Sequence, residues 1–182
     1  QNSVKGESYS FAYYSDYELT TPLKSSYSGH DIVLKAGSCD RPYVNTNSTG
    51  FRLPSSDEWE LAARYVSDID GDSKIYSAGE YYPYNFASGA TSSILNTEAT
   101  GLCAFYDLNS MHFLNKSGSK TFNASGIYDM SGNVSEFCFD WHTINYYRVI
   151  RGGDYLHDIK MVQVGLMNYA EPFFKSNSVG IR

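Results

Sequence analysis

Residues 126–140 read GIYDMSGNVSEFCFD, and the reading of this stretch decides the fold. The run Ser131-Gly132-Asn133 sets two residue types that tolerate left-handed backbone side by side, so a tight turn is expected there. Residues 126–141 accordingly read as turn-rich. Upstream, residues 50–64 (GFRLPSSDEWELAAR) have the opposite character. Ser55 and Glu58 are spaced as a capping box just after Pro54, and Trp59, Ala62, Ala63 and Val66 share one stripe, which predicts a helix. Glu60 and Arg64 are placed for an i,i+4 pair on its wet side. Residues 68–73 (DIDGDS) are expected to end it in a turn.

Outward from these two segments the signals weaken. Residues 1–50 hold short aromatic or β-branched runs, at 9–14 and 31–34, that read as hairpins and loops. Between residues 76 and 122 no period persists, and Gly, Ser, Asn and Pro punctuate the chain. Residues 147–151 (YRVIR), 161–164 (MVQV) and 179–182 (VGIR) read as strands. Gly152-Gly153 suits a close backbone approach at a strand end. Arg52 and Arg151, embedded in apolar surroundings, are expected to bury their stems and pair with carboxylates such as Asp140 or Glu60. With no repeat and no linker, residues 1–182 read as one domain.

Composition narrows the partners. The chain has 182 residues, 42% of them apolar, enough for a real core. Its net charge of −6, with 14 scattered Lys and Arg, disfavours nucleic acid and anionic membrane surfaces. No apolar stretch is long enough to cross a bilayer, and no leader is visible before Gln1. Cys39, Cys103 and Cys138 are odd in number and show no zinc spacing, so buried free thiols are expected, one bridge plus a free thiol being the other arrangement open. The histidines (His30, His112, His142, His157) are dispersed and make no metal motif.

Three segments in order, residues 50–64, 126–140 and 148–153 with the terminal 179–182, resemble the formylglycine-generating enzyme, or sulfatase-modifying factor, family. The resemblance implies an α+β, C-type lectin-like fold with little regular secondary structure. It is good over residues 50–182 and poor over 1–49, where the family's usual N-terminal segment is divergent or trimmed. Active members carry two copper-binding cysteines near the C-terminus. Counted back from Pro172, those positions fall on Ile159 and Val164, and neither can be a thiolate. The expectation is a non-enzyme with no catalytic residues and no catalytic cofactor. The family's calcium turn corresponds to Asp129, Gly132, Val134 and Glu136, a set of hard oxygen ligands, so a structural calcium is expected at even weight with its absence.

The tail, residues 151–182, resembles the variable regions of proteins diversified by retroelements, a branch of the same fold. There, adenine-directed copying randomises Asn codons between a fixed Arg-Gly-Gly and a fixed Gly-Phe-Arg. The corresponding positions here are Leu156, His157, Asp158, Asn168, Tyr169, Ala170, Phe173, Phe174, Ser176, Asn177 and Ser178. Randomised AAC codons never yield Lys, Glu, Gln, Met or Trp, and none occurs at these eleven positions, although Lys160, Met161, Gln163, Met167, Glu171 and Lys175 lie between them. The mixture of rings with Asn, Ser and His is that of an adaptable paratope. The implied function is recognition of a protein or other surface macromolecule through a broad, aromatic face, at the cell surface or outside it, lipid-anchored or virion-borne. A formylglycine-type oxidase and a structural subunit of a surface or phage particle are the alternatives; copper uptake with oxygen turnover marks the first, self-association the second.

Overall fold

A computed structural model describes residues 3–4, 7–24, 34–66 and 78–182. The runs expected at 31–33 and 68–73, and His30, lie outside the described residues. Helix α1, Ser56–Arg64, starts where the capping box requires: Ser55 Oγ accepts from Glu58 N (3.1 Å) and Glu58 Oε2 accepts from Ser55 N (2.8 Å). Its stripe buries Trp59 and Ala63 against Met130, Cys138, Val149 and Val164. Removing the Trp59 side chain from such a core costs about 3–5 kcal/mol.

That core rests on a four-stranded sheet of order β7-β6-β5-β8, built from β5 (Ser135–Thr143), β6 (Tyr147–Arg151), β7 (Asn168–Ala170) and β8 (Val179–Gly180). Strands β5 and β6 form an antiparallel hairpin whose turn holds Asn145 at φ 66°, and β8 pairs parallel to β5. Two smaller ribbons lie in the N-terminal part: β1 (Ser3–Val4) with β2 (Glu7–Ser8), and β3 (Tyr13–Tyr14) with β4 (Tyr43–Val44). A second core, including Ile94, Cys103, Tyr106 and Val162, gathers around α2 (Thr97–Cys103), which Asn96 caps; the four-residue helix α3 (Asp107–Ser110) follows. Cys103 and Cys138 are buried free thiols, one in each core.

Several expectations need correction. The turn-rich reading of 126–141 holds only to residue 134, because the alternating Glu-Phe-Cys-Phe run enters the sheet as β5. Residues 161–164 are not a strand. Asp158 caps a 3₁₀ turn, Ile159–Val162, and the alternation that imitates a strand arises because Val162 and Val164 drop into different cores. The Glu60–Arg64 pair is not on a wet side. Arg64 lies over the Tyr84 ring (3.6 Å), and Glu60 also pairs with Arg151 (2.5 Å), whose side chain is only 1% exposed. Arg151 thus meets its expected carboxylate, whereas Arg52 stays nearer the surface and pairs with Glu58 instead. Asp140 serves the helix by accepting from Ser56 N (2.5 Å).

Candidate ligand-binding face

The turn at residues 131–133 is the hub from which the tail is hung. Gly132 has φ +74°, and a Cβ there would stand 2.1 Å from the Phe105 carbonyl oxygen. Gly132 N donates to the Gly152 carbonyl (2.8 Å), Ser131 Oγ to the Val162 carbonyl (2.7 Å), and Tyr155 N to the Asn133 carbonyl (3.1 Å). Further along, Ser110 Oγ donates to the Tyr155 carbonyl (2.7 Å), Asp107 N to the His157 carbonyl (3.1 Å), and Ser135 N to the Ser178 carbonyl (2.8 Å). Strand β7 pairs through its backbone with β6, in the register Val149 to Tyr169. Main-chain groups, which every residue type possesses, thus hold residues 151–178 alongside the buried side chains of Arg151, Tyr155, Val162 and Val164, none of which is a candidate position.

Side chains are left to face outward. Of the eleven candidate positions, Leu156, His157, Asp158, Asn168, Tyr169, Phe174, Ser176 and Asn177 are exposed and Phe173 is half-buried, while Ala170 and Ser178 are buried. Those last two are little exposed and meet the face only at the cleft. Six of the eleven (His157, Asn168, Tyr169, Ala170, Phe174 and Ser178) line one cleft of about 220 Å³. So the face is not uniformly broad; it contains a socket that the sequence did not announce. At the socket the buried Asp154 accepts from His157 Nδ1 (2.6 Å) and Leu156 N (2.9 Å), both on Oδ1. His157 Nδ1 is the donor when it faces a carboxylate oxygen, which accepts. Beside it Tyr169 stacks on His142 (4.4 Å) and leans on Tyr147 (4.9 Å), joining the tip of the β5–β6 hairpin to the face. These three rings form an aromatic shelf, and Ile144 and Tyr146 of the same hairpin turn are exposed as well. Sequence reading missed the hairpin tip because only the folded register brings it beside β7. A larger hollow of about 770 Å³, lined by Tyr13, Leu23, Phe51, Phe139 and Arg148 among others, includes none of the eleven.

The two positions tied to catalysis by resemblance are apolar and packed. Val164 is buried in the first core and Ile159 packs against the second. Burial pushes the thiols of Cys103 and Cys138 up to about 12, and raises that of Cys39 as well. The turn expected to hold calcium has its carboxylates committed elsewhere. Asp129 Oδ2 accepts from Ser117 Oγ (2.6 Å) and Gly118 N (2.8 Å), and Glu136 accepts from Trp59 Nε1 (2.7 Å) and Arg182 (2.7 Å). A cation at Glu136 would share that carboxylate with the Arg182 guanidinium, and Gly132 and Val134 are the other two positions of the expected set. Among the described residues no three His, Cys, Asp or Glu side chains gather into a metal-binding group.

Comparison with known proteins agrees with this architecture. The family model for the sulfatase-modifying factor enzyme 1-like domain matches residues 12–182. The chain belongs to that family. Among solved structures, this family member is similar to Treponema denticola variable protein 1, with a TM-score of 0.65 and 24% identity over 93% of this chain and 60% of that one. It is similar to CarF, with a TM-score of 0.55 and 20% identity over 89% of this chain and 54% of that one. PvdO from Pseudomonas aeruginosa matches at 25% identity and a TM-score of 0.50, over 71% of this chain and 50% of that one. These neighbours establish the C-type lectin-like α+β fold. A curated relative, "Chaperone protein LppX" of Paenibacillus barcinonensis, is 27% identical over 132 residues, 66% of this chain. The chain spans 44% of that relative's length and half to three-fifths of the structural neighbours'. Among the described residues no helix is long and apolar enough to cross a membrane.

Proposed function

We propose that this domain is a non-catalytic recognition module that presents residues 156–178, a retroelement-diversified segment, to a protein or other macromolecule at a cell or particle surface. The observation that carries the reading is the manner of anchoring. Backbone hydrogen bonds fix the segment while eight of its eleven candidate side chains stand exposed, so those side chains can change without disturbing what holds them. Rings and short polar groups at these positions give contact area at small entropic cost. The oxidase alternative needs two neighbouring, ionisable thiols. Cys103 and Cys138 sit in separate cores with their thiols pushed to about 12, and Ile159 and Val164 offer no sulfur, which supports the non-enzymatic reading.

Sequencing this gene from many siblings of one strain tests the reading directly. Changes confined to the eleven codons, at adenine-derived positions, are expected; a uniform tail removes the diversified part. Oxygen consumption by the purified domain with a thiol peptide and copper would overturn the non-catalytic part.

A further inference from the structure

We infer that the cleft beside β7 is a socket for a basic side chain, Lys or Arg, of a protein partner, with a constant acidic floor and changeable walls. This rests on residues 156–178 being the ligand face, and adds the chemistry that the face selects. The floor is Asp154, buried in the fold with both its donors on Oδ1, joined by the half-buried Glu171. Arg151 also lines the cleft; it shares Glu60 with Arg64 and donates to the Leu166 carbonyl (2.9 Å), and its buried Nε has no hydrogen-bond partner. Lys160 and Lys175 do not line it. Asp154 and Glu171 set two carboxylates, which accept when ionised, against the single Arg151 guanidinium, so the socket favours donors and positive charge. Its outer walls, Tyr169 and Phe174, offer ring faces to a cation and apolar surface to its methylene stem.

The division between floor and walls follows a line in the sequence. Asp154 and Glu171 lie outside the eleven candidate positions, whereas His157, Tyr169 and Phe174 lie within them. Variants of the face would therefore keep a taste for a basic side chain and alter what surrounds it.

The test is to pan a random peptide library on the immobilised domain, with Glu171→Gln as the counter-screen. Expected are peptides enriched in Lys or Arg whose binding falls about tenfold or more when the basic residue becomes citrulline or norleucine, and similarly in Glu171→Gln. Asp154→Asn, checked for an unaltered melt, should act in the same direction. Peptides that lose binding in Tyr169→Ala and Phe174→Ala yet show no basic enrichment would overturn the socket and leave the ligand face standing. Peptides indifferent to both ring substitutions, or an empty selection, would overturn both. Basic enrichment that survives the double replacement Tyr169→Ala with Phe174→Ala at lower affinity is the result that separates constant floor from changeable wall.

Discussion

Helix α1 and the candidate positions within 156–178 belong to one domain, yet their side chains are used in different ways. The helix is held by side chains: Trp59 and Ala63 fill the core, Glu60 joins Arg64 to the buried Arg151, and Glu58 closes the cap. The tail is framed by main-chain bonds to the carbonyls of Gly152, Tyr155, His157, Val162 and Ser178 and by the buried Val162 and Val164, while eight of its eleven candidate side chains are turned out. A region held by side chains fixes its sequence, and a region held by main-chain bonds leaves its sequence free. Substitutions should therefore separate the two regions in size of effect.

The sharpest break is expected at the hub between them. Gly132→Val would place a Cβ 2.1 Å from a backbone oxygen at φ +74°, so loss of a cooperative thermal transition is expected by circular dichroism. A variant that melts near the wild type would mean the turn is not what hangs the tail. Arg151→Met should cost about 3 kcal/mol, near the lower end for breaking a buried pair, because Glu60 keeps Arg64 as a second partner. A chemical-denaturation midpoint unmoved by that change would place the helix and β6 in a looser relation than the ion pair implies.

Within the tail the effects should be graded by how far each side chain has been drawn into the framework. Asn177→Ala, exposed and unpartnered among the described residues, should stay within about 0.5 kcal/mol. Tyr169→Ala loses its stack on His142 and its contact with Tyr147, and should cost about 1 kcal/mol. His157→Ala strips a buried carboxylate of a side-chain donor and should cost about 1–3 kcal/mol, the largest of the three. Equal losses of several kcal/mol at all three would make the tail scaffold and end the comparison.

How far these features could be read from residues alone follows the same division. The capping box, the core stripe and the Arg151–Glu60 pair were legible because each is a local spacing or an obligatory satisfaction of buried charge. The Gly132-Asn133 turn was legible because both residues do take positive φ. What was not legible depends on tertiary juxtaposition. The acidic floor needs Asp154 and Glu171 brought together from either side of β7, and the aromatic shelf needs the hairpin tip laid beside Tyr169. Residues 161–164 misled because burial at alternate positions has two causes, a strand or a tight turn between two cores, and only the second operates here. Ala170 and Ser178 fell among the eleven by resemblance, yet they are little exposed.

A milder test concerns acid. The Arg52 guanidinium and the Ser55 backbone N–H hold the Glu58 carboxyl down at about 2, below its ordinary 4.5. A carboxylate depressed in the folded state contributes its stability above the unfolded value and loses it as pH falls through the folded one. Glu58 should thus weaken the fold between roughly pH 4.5 and 2, modestly because the pair is near the surface and screened. Glu58→Gln should flatten that limb of the melting-temperature profile; an unaltered slope would assign acid sensitivity elsewhere.

The smallest expected effect is none at all, and it bears on why the turn exists. If residues 129–136 were a calcium loop, removing the ion would loosen the hub and with it the hold on the tail, since a ligand bound only by the folded state adds to its stability. Here Arg182 already pairs with one of the expected carboxylates. Its guanidinium bridges Glu136 to the Tyr128 carbonyl, while Trp59 Nε1 donates to the same carboxylate from the helix. Arg182 thus sets a positive charge beside the loop's carboxylate. Melting with EGTA should match melting with excess calcium, and Arg182→Gln should lower the transition in both by the same amount. A fall on chelation that Arg182→Gln enlarges would show the arginine and the ion to be alternative occupants of one site, and the hub to be under metal control after all.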